Sequence, residues 1–157
     1  MLLLSLGSCE KIKGDTTIIR DVNVCVSDAA GNDLLNPEST SANVIKEVKI
    51  YDIYKGDTTL LEHYDKSDHF AQLFTVNDGN VPVDSYYVKV YGKFRKNQET
   101  AKILLEWGNG MKDIMEIEYE KDSDHTYYES VKKVFLSGLQ VFGPGVENPY
   151  RCVIIKH

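Results

Sequence analysis

The chain has 157 residues, a formal net charge of −6 and a pI of about 5.2. That length is enough for one domain with a proper core. Its basic residues are scattered along the chain, which argues against a nucleic-acid partner, because phosphate binding rests on clustered Lys and Arg. No apolar run approaches the ~20 residues of a membrane-spanning helix.

The chain opens MLLLSLGSCEK. A short apolar run, residues 2–6, leads into small residues and then a cysteine. A secretory signal has a basic n-region and a longer apolar stretch, and both are missing. The tail end nevertheless resembles the lipobox of bacterial lipoproteins, with Leu three residues before the cysteine and a small residue just before it. Leu6, Gly7 and Ser8 match, and Cys9 takes the place of the lipidated residue. In that family the preceding segment is cleaved and the cysteine is acylated on its thiol and new amino terminus. The resemblance therefore implies a signal remnant at 1–8 and a lipidated cysteine with a polar tether at 9–17. Since the basic start is absent, the true start is expected upstream of Met1, or the chain is a fragment. Glu10 stands where, in the enteric-type rule of the family, Asp would retain the protein in the inner membrane. The resemblance thus implies the outer membrane. Several acyl chains anchor stably where one binds only marginally.

Residues 18–157 read as a single domain. Over 18–28, Ile18, Val22, Val24 and Val26 share one face, and Asp21, Asn23, Cys25 and Ser27 the other, the pattern of a half-buried strand. Residues 29–33 form a turn. The phrase VSDAAGNDLLNP resembles one found in small envelope lipoproteins of Bacteroidota. That likeness implies lineage and address, and no activity.

Residues 44–54 are a second strand, turned at Gly56-Asp57 and returned over 58–64. Residues 69–76 are another strand, followed by a turn at 77–80. Over 84–94, Tyr86, Val88, Val90 and Phe94 share one face, and Tyr87, Lys89, Tyr91 and Lys93 the other. Residues 101–119 then read as a hairpin. A three-residue loop, 108–110, puts Gly110 at the left-handed position of a bulged turn. It sets Trp107 opposite Met111, Glu106 opposite Lys112, Ile103 opposite Met115 and Lys102 opposite Glu116. A two-residue turn would instead set Glu106 against Asp113. Opposite charges and apolar pairs favour the three-residue loop. The buried face is then Ile103, Leu105, Trp107, Met111, Met115, Ile117 and Tyr119. Asp113 joins that face by parity and is expected to reach water near the loop, since an unpaired buried charge is costly.

Residues 122–124 are a turn or a helix cap. Residues 125–137 read as two short strands broken near Glu129-Ser130, with a helix as the alternative. Their Tyr, Val and Phe content favours strands. Residues 143–145 are loop, and 151–157 a final strand. Short strands with turn chemistry between them imply an all-β fold. The expected form is an antiparallel sandwich of immunoglobulin or prealbumin type, with a lipocalin-like barrel as the alternative.

No nucleophile elbow, zinc-protease, phosphate-loop or dinucleotide signature is present. Catalytic residues, metals and cofactors are therefore not expected. Cys25 and Cys152 lie in the first and last strands, and outside the cytoplasm they could pair. Glu62, His63, Asp65, Asp68 and His69 carry metal-binding chemistry at spacings of no known motif. Asp28, Asn32 and Asp33, or Asp122 and Asp124, offer oxygens without the spacing of an EF-hand. Tyr87 and Tyr91 form a ligand face, since exposed aromatics stack on sugars or anchor partners. The leading expectation is a non-enzymatic, lipid-anchored binding or accessory module of the cell envelope. The first alternative is a carbohydrate-binding accessory protein using those tyrosines. The second is a secreted hydrolase with an unrecognised carboxylate pair. Expected partners are the membrane, through the lipid, and an envelope protein or glycan.

Overall fold

The structure is a computed structural model that describes residues 21–39, 41–65, 72–74, 85–93, 95, 98–121, 128–146 and 152–156. The described residues form ten strands in chain order. They are β1 (Asp21–Ser27), β2 (Glu47–Tyr54), β3 (Asp57–Asp65), β4 (Gln72–Phe74) and β5 (Ser85–Tyr91). Then come β6 (Thr100–Trp107), β7 (Lys112–Lys121), β8 (Tyr128–Leu136), β9 (Leu139–Phe142) and β10 (Cys152–Lys156). One sheet has the order β10-β1-β5-β4 and the other β3-β2-β6-β7-β8-β9. Pairing is antiparallel except between β1 and β10, which run parallel. There is no helix among the described residues, and so none long and apolar enough to cross a membrane.

The fold is an all-β sandwich. The sheets do not close on one another, so the barrel alternative is set aside. One core joins both sheets. Val24, Val26, Val88, Val90 and Ile155 come from the smaller sheet; Val48, Ile50, Ile103, Leu105, Met115 and Ile117 come from the larger. These residues alternate along their strands, and the two-residue period of a strand sends each set to one face. Leu34, Leu35 and Ile45, in the β1–β2 connection, are buried in the same core. The connection is fastened by Asp33. One of its carboxylate oxygens accepts from Leu35 N at 2.9 Å and the other from Tyr86 N at 2.7 Å. Burial pushes the Asp33 carboxyl up from its ordinary value.

The central hairpin has the three-residue loop. Glu106 pairs with Lys112, Ile103 with Met115 and Lys102 with Glu116. Trp107 N donates to Met111 O at 2.9 Å, and Gly110, at φ 88°, takes the left-handed position. Asp113 departs from expectation. It is largely buried, with 8% of its surface exposed. The Trp107 indole N–H donates to its carboxylate at 2.7 Å, so the charge is buried with a donor supplied by its own hairpin.

Two other turns correct the sequence reading. The β2–β3 turn centres on Lys55 and Gly56, not on Gly56-Asp57; both residues have positive φ, 53° and 90°. That is the backbone of a two-residue type I′ hairpin, whose twist suits the flanking strands. Ser137 and Gly138 repeat it at 50° and 85°. β8 continues as one strand through Glu129 and Ser130, where its pairing with β7 is bulged rather than ended, and the chain reverses at 137–138, just before β9.

Candidate functional site

Apart from Asp113 on β7, the inner face of the larger sheet is apolar until it nears β3, where it turns polar. On β2, Val48 and Ile50 are followed at the same parity by Asp52, 2% exposed, and then by Tyr54. On β3, Glu62 stands opposite Ile50 and Thr59 opposite Asp52. A core-facing charge needs a partner. The partner comes from the other side of the sandwich, out of the β5–β6 connection.

That partner is Arg95. Its guanidinium makes a forked pair with Asp52: Nη1 donates to Oδ1 at 3.3 Å and Nη2 donates to Oδ2. Nη1 also meets the carbonyl of Lys93 and the side-chain oxygen of Gln98. The Asp52 carboxylate beside it holds the Arg95 guanidinium above its ordinary value. The same guanidinium lies over the Tyr54 ring, 3.8 Å from its centroid, with Lys55 Nζ 5.2 Å from that centroid. Tyr54 remains 36% exposed. The result is an aromatic ring at the surface, held by a cation that is itself held by a buried anion.

Tyr91 reaches across the same edge. It ends β5, beyond the part paired with the short β4, and its hydroxyl donates to Glu62 Oε1 on β3 at 2.5 Å. The hydrogen bond to Glu62, then partial burial, push the phenol up to about 12. Its ring is 39% exposed. Tyr91 and Arg95 thus bridge from the end of β5 to β3 and β2. Between them lies Gly92, whose N–H donates to the buried Tyr119 hydroxyl at 3.0 Å. A side chain at 92 would stand 2.1 Å from the Ala101 Cβ, so only glycine lets the strap pass this close.

The sequence-predicted residues fall as follows. Tyr91 is part of this edge. Tyr87, on the same face of β5, is half-buried and stands opposite Gln72 of β4. Glu62 and His63 alternate along β3 and diverge: Glu62 meets Tyr91, while His63 Nε2 lies 3.1 Å from Glu47 Oε2 on the outer face. Asp68 and His69 lie outside the described residues, and among the described residues no group of three or more His, Cys, Asp or Glu converges as for a metal. The oxygens of Asp28 are turned onto its own loop, accepting from Ala30 N, Asn32 N and Asn32 Nδ2. Asp122, Asp124 and Cys9 lie outside the described residues. Cys25 and Cys152 sit on neighbouring strands, but Cys25 stands opposite Ile154 and Cys152 opposite Asn23. The two are a diagonal apart, ~8 Å between Cα atoms from strand spacing and rise. A disulfide spans less than ~7 Å, so pairing would require the strands to shift.

Asp52, Tyr54 and Arg95 were not singled out from sequence. One signal for Asp52 was present, a charge at the parity of Val48 and Ile50. Arg95 carried none, because its reach depends on where the connection crosses.

No protein-family model matches the chain, and no curated protein and no solved structure is similar to it.

Proposed function

We propose that the protein is a non-enzymatic binding module, lipid-anchored through Cys9 at the outer membrane, which takes a glycan at the β3–β5 edge of its sandwich. The observation that carries the ligand reading is the Tyr54 ring, exposed to solvent yet fixed under the Arg95 guanidinium, which Asp52 grips from the core. Sugar rings present apolar C–H faces and a rim of hydroxyls. Aromatic rings suit the first and planar charged side chains the second. Because the ring and guanidinium are already held, less freedom is lost on binding. Tyr91 and Glu62 offer a second aromatic and polar pair on the same edge. The anchor rests on the resemblance of Leu6, Gly7, Ser8 and Cys9 to a lipobox, and the polar tether after it would hold the domain clear of the lipid.

Affinity electrophoresis through gels containing soluble polysaccharides tests the ligand. The wild-type chain should be retarded by at least one of them, and Tyr54→Ala should abolish the retardation while its melting curve stays within a few degrees. Retardation by none, or equal retardation of the variant, overturns the reading. Metabolic labelling with a fatty acid tests the anchor: label should enter the wild type and not Cys9→Ala.

A further inference from the structure

The outward face of the larger sheet carries an apolar stripe that the sandwich does not use. Register pairing sets Leu60 of β3 opposite Tyr51 of β2, Tyr51 opposite Leu104 of β6, and Leu104 opposite Ile114 of β7. Four strands thus contribute one unbroken row at right angles to their run. Leu60 is 51% exposed and Ile114 39%, while Tyr51 and Leu104 are half-buried. A sheet face turned to water is ordinarily polar; one side of this row is, and the other mixes the charged Lys102 and Glu116 with Ile53 and Phe135. The polar flank is His63, Lys49, Glu106 and Lys112. The flanking charges neutralise one another: Lys49 and Lys112 lie 3.9 and 2.9 Å from Glu106, and Lys102 lies 3.0 Å from Glu116. In a chain of net charge −6, this is a face with apolar atoms at its centre and paired charges beside them.

We infer that this face binds a second copy of the chain, stripe on stripe, about a two-fold axis parallel to the strands and midway between β2 and β6. The central row and the Lys49–Glu106 pair are complementary to themselves under that operation. Tyr51 falls opposite Leu104 of the second copy, Leu60 opposite Ile114, and Lys49 opposite Glu106, each contact made twice as an isologous interface requires. Strands of the two facing sheets then run nearly aligned, a standard sheet-on-sheet packing. Four strands at ~4.8 Å and three rows at ~7 Å make a small patch, at the low end of specific interfaces, where association is weak and transient. Tethering both copies to one membrane would raise their effective concentration. The dimer leaves the β3–β5 edge open and does not depend on the glycan reading.

Sedimentation of the untethered domain, from about micromolar to about millimolar concentration, tests the inference. The mass should rise from monomer to dimer across that range. Leu104→Glu should hold it at monomer; Leu60→Glu, on an edge strand, serves where the first variant does not fold. Lys49→Glu and Glu106→Lys should each be monomeric alone, since each sets like charges opposite one another. Mixed in equal amounts they should recover the dimer at least tenfold over either alone, because opposite charges meet again across the axis. Mixing cannot repair the pair within each chain, so recovery reports the interface. A monomer at every concentration, a dimer that survives both leucine variants, or a mixture no better than its components overturns the inference.

Discussion

Asp113 and Asp52 occupy the same inner face of the same sheet, and both are nearly sealed from water. They differ in who satisfies them. Asp113 takes a hydrogen bond from Trp107, six residues away in one hairpin, and both residues are buried. Asp52 takes its cation from Arg95, 43 residues away in a connection from the other sheet, and that cation continues outward to an exposed ring. Burial of a carboxylate therefore does not mark a site on its own account. What the partner touches does: Trp107 is buried, whereas Arg95 continues to the exposed Tyr54 ring. The first arrangement fixes a hairpin, and the second fixes a surface.

Removing each partner should expose the difference, and the largest effect is expected at Arg95. Arg95→Ala leaves a buried anion without its cation and should cost about 3 kcal/mol, near the lower end for a broken buried pair because Arg95 is partly exposed. Adding Asp52→Ala to it should restore part of that loss in chemical denaturation. Full additivity of the two changes would deny the coupling. Trp107→Phe should cost about 2 kcal/mol, from a lost hydrogen bond to a charge and lost volume. It should leave any ligand binding at the other end intact, whereas Arg95→Ala should not. A Trp107 variant that loses ligand in proportion to stability would erase the distinction between the two aspartates.

Smaller effects sharpen it. Tyr119→Phe removes the acceptor of the Gly92 N–H, with an expected cost of about 1 kcal/mol at neutral pH. Burial holds the Tyr119 phenol up at about 12, against an ordinary 10.0. A raised value means that its contribution is full below pH 10 and is lost as pH rises through about 12. The variant should accordingly show a shallower alkaline loss of stability in denaturation series across that range. Tyr91→Phe breaks only an exposed hydrogen bond and should cost about 0.5 kcal/mol or less. Its test is specificity, since losing the hold of Glu62 should weaken ligand binding more than stability.

The hairpin at the centre of the larger sheet was legible because two independent patterns agreed on one register, apolar parity and opposite charges, with glycine where φ is positive. The failures have physical reasons. Asp113 was expected in water because charge cost was weighed without the indole donor that diagonal packing brings. The Ser137-Gly138 turn was missed although Ser-Gly is a turn signal, because the neighbouring run also fitted a helical period. Tyr91 was singled out as an exposed aromatic, but its partner Glu62 was noted only for its proximity to histidines. Alternation along β3 separates Glu62 from His63, and a contact between β3 and β5 is a property of the folded edge. The same holds for Arg95 on Asp52. Local periodicity reaches strands and faces; it does not reach the place where a connection between sheets sets down a side chain.

The most direct test of the account is a two-dimensional NMR titration of the domain with the polysaccharide that retards it most, reduced to soluble oligosaccharides. Shifts should concentrate at Tyr54, Lys55, Glu62, Tyr91 and the Arg95 side chain, with Trp107 and its indole unmoved. Shifts centred on the outer stripe, at Tyr51, Leu104 and Ile114, or none at saturating ligand, would contradict it.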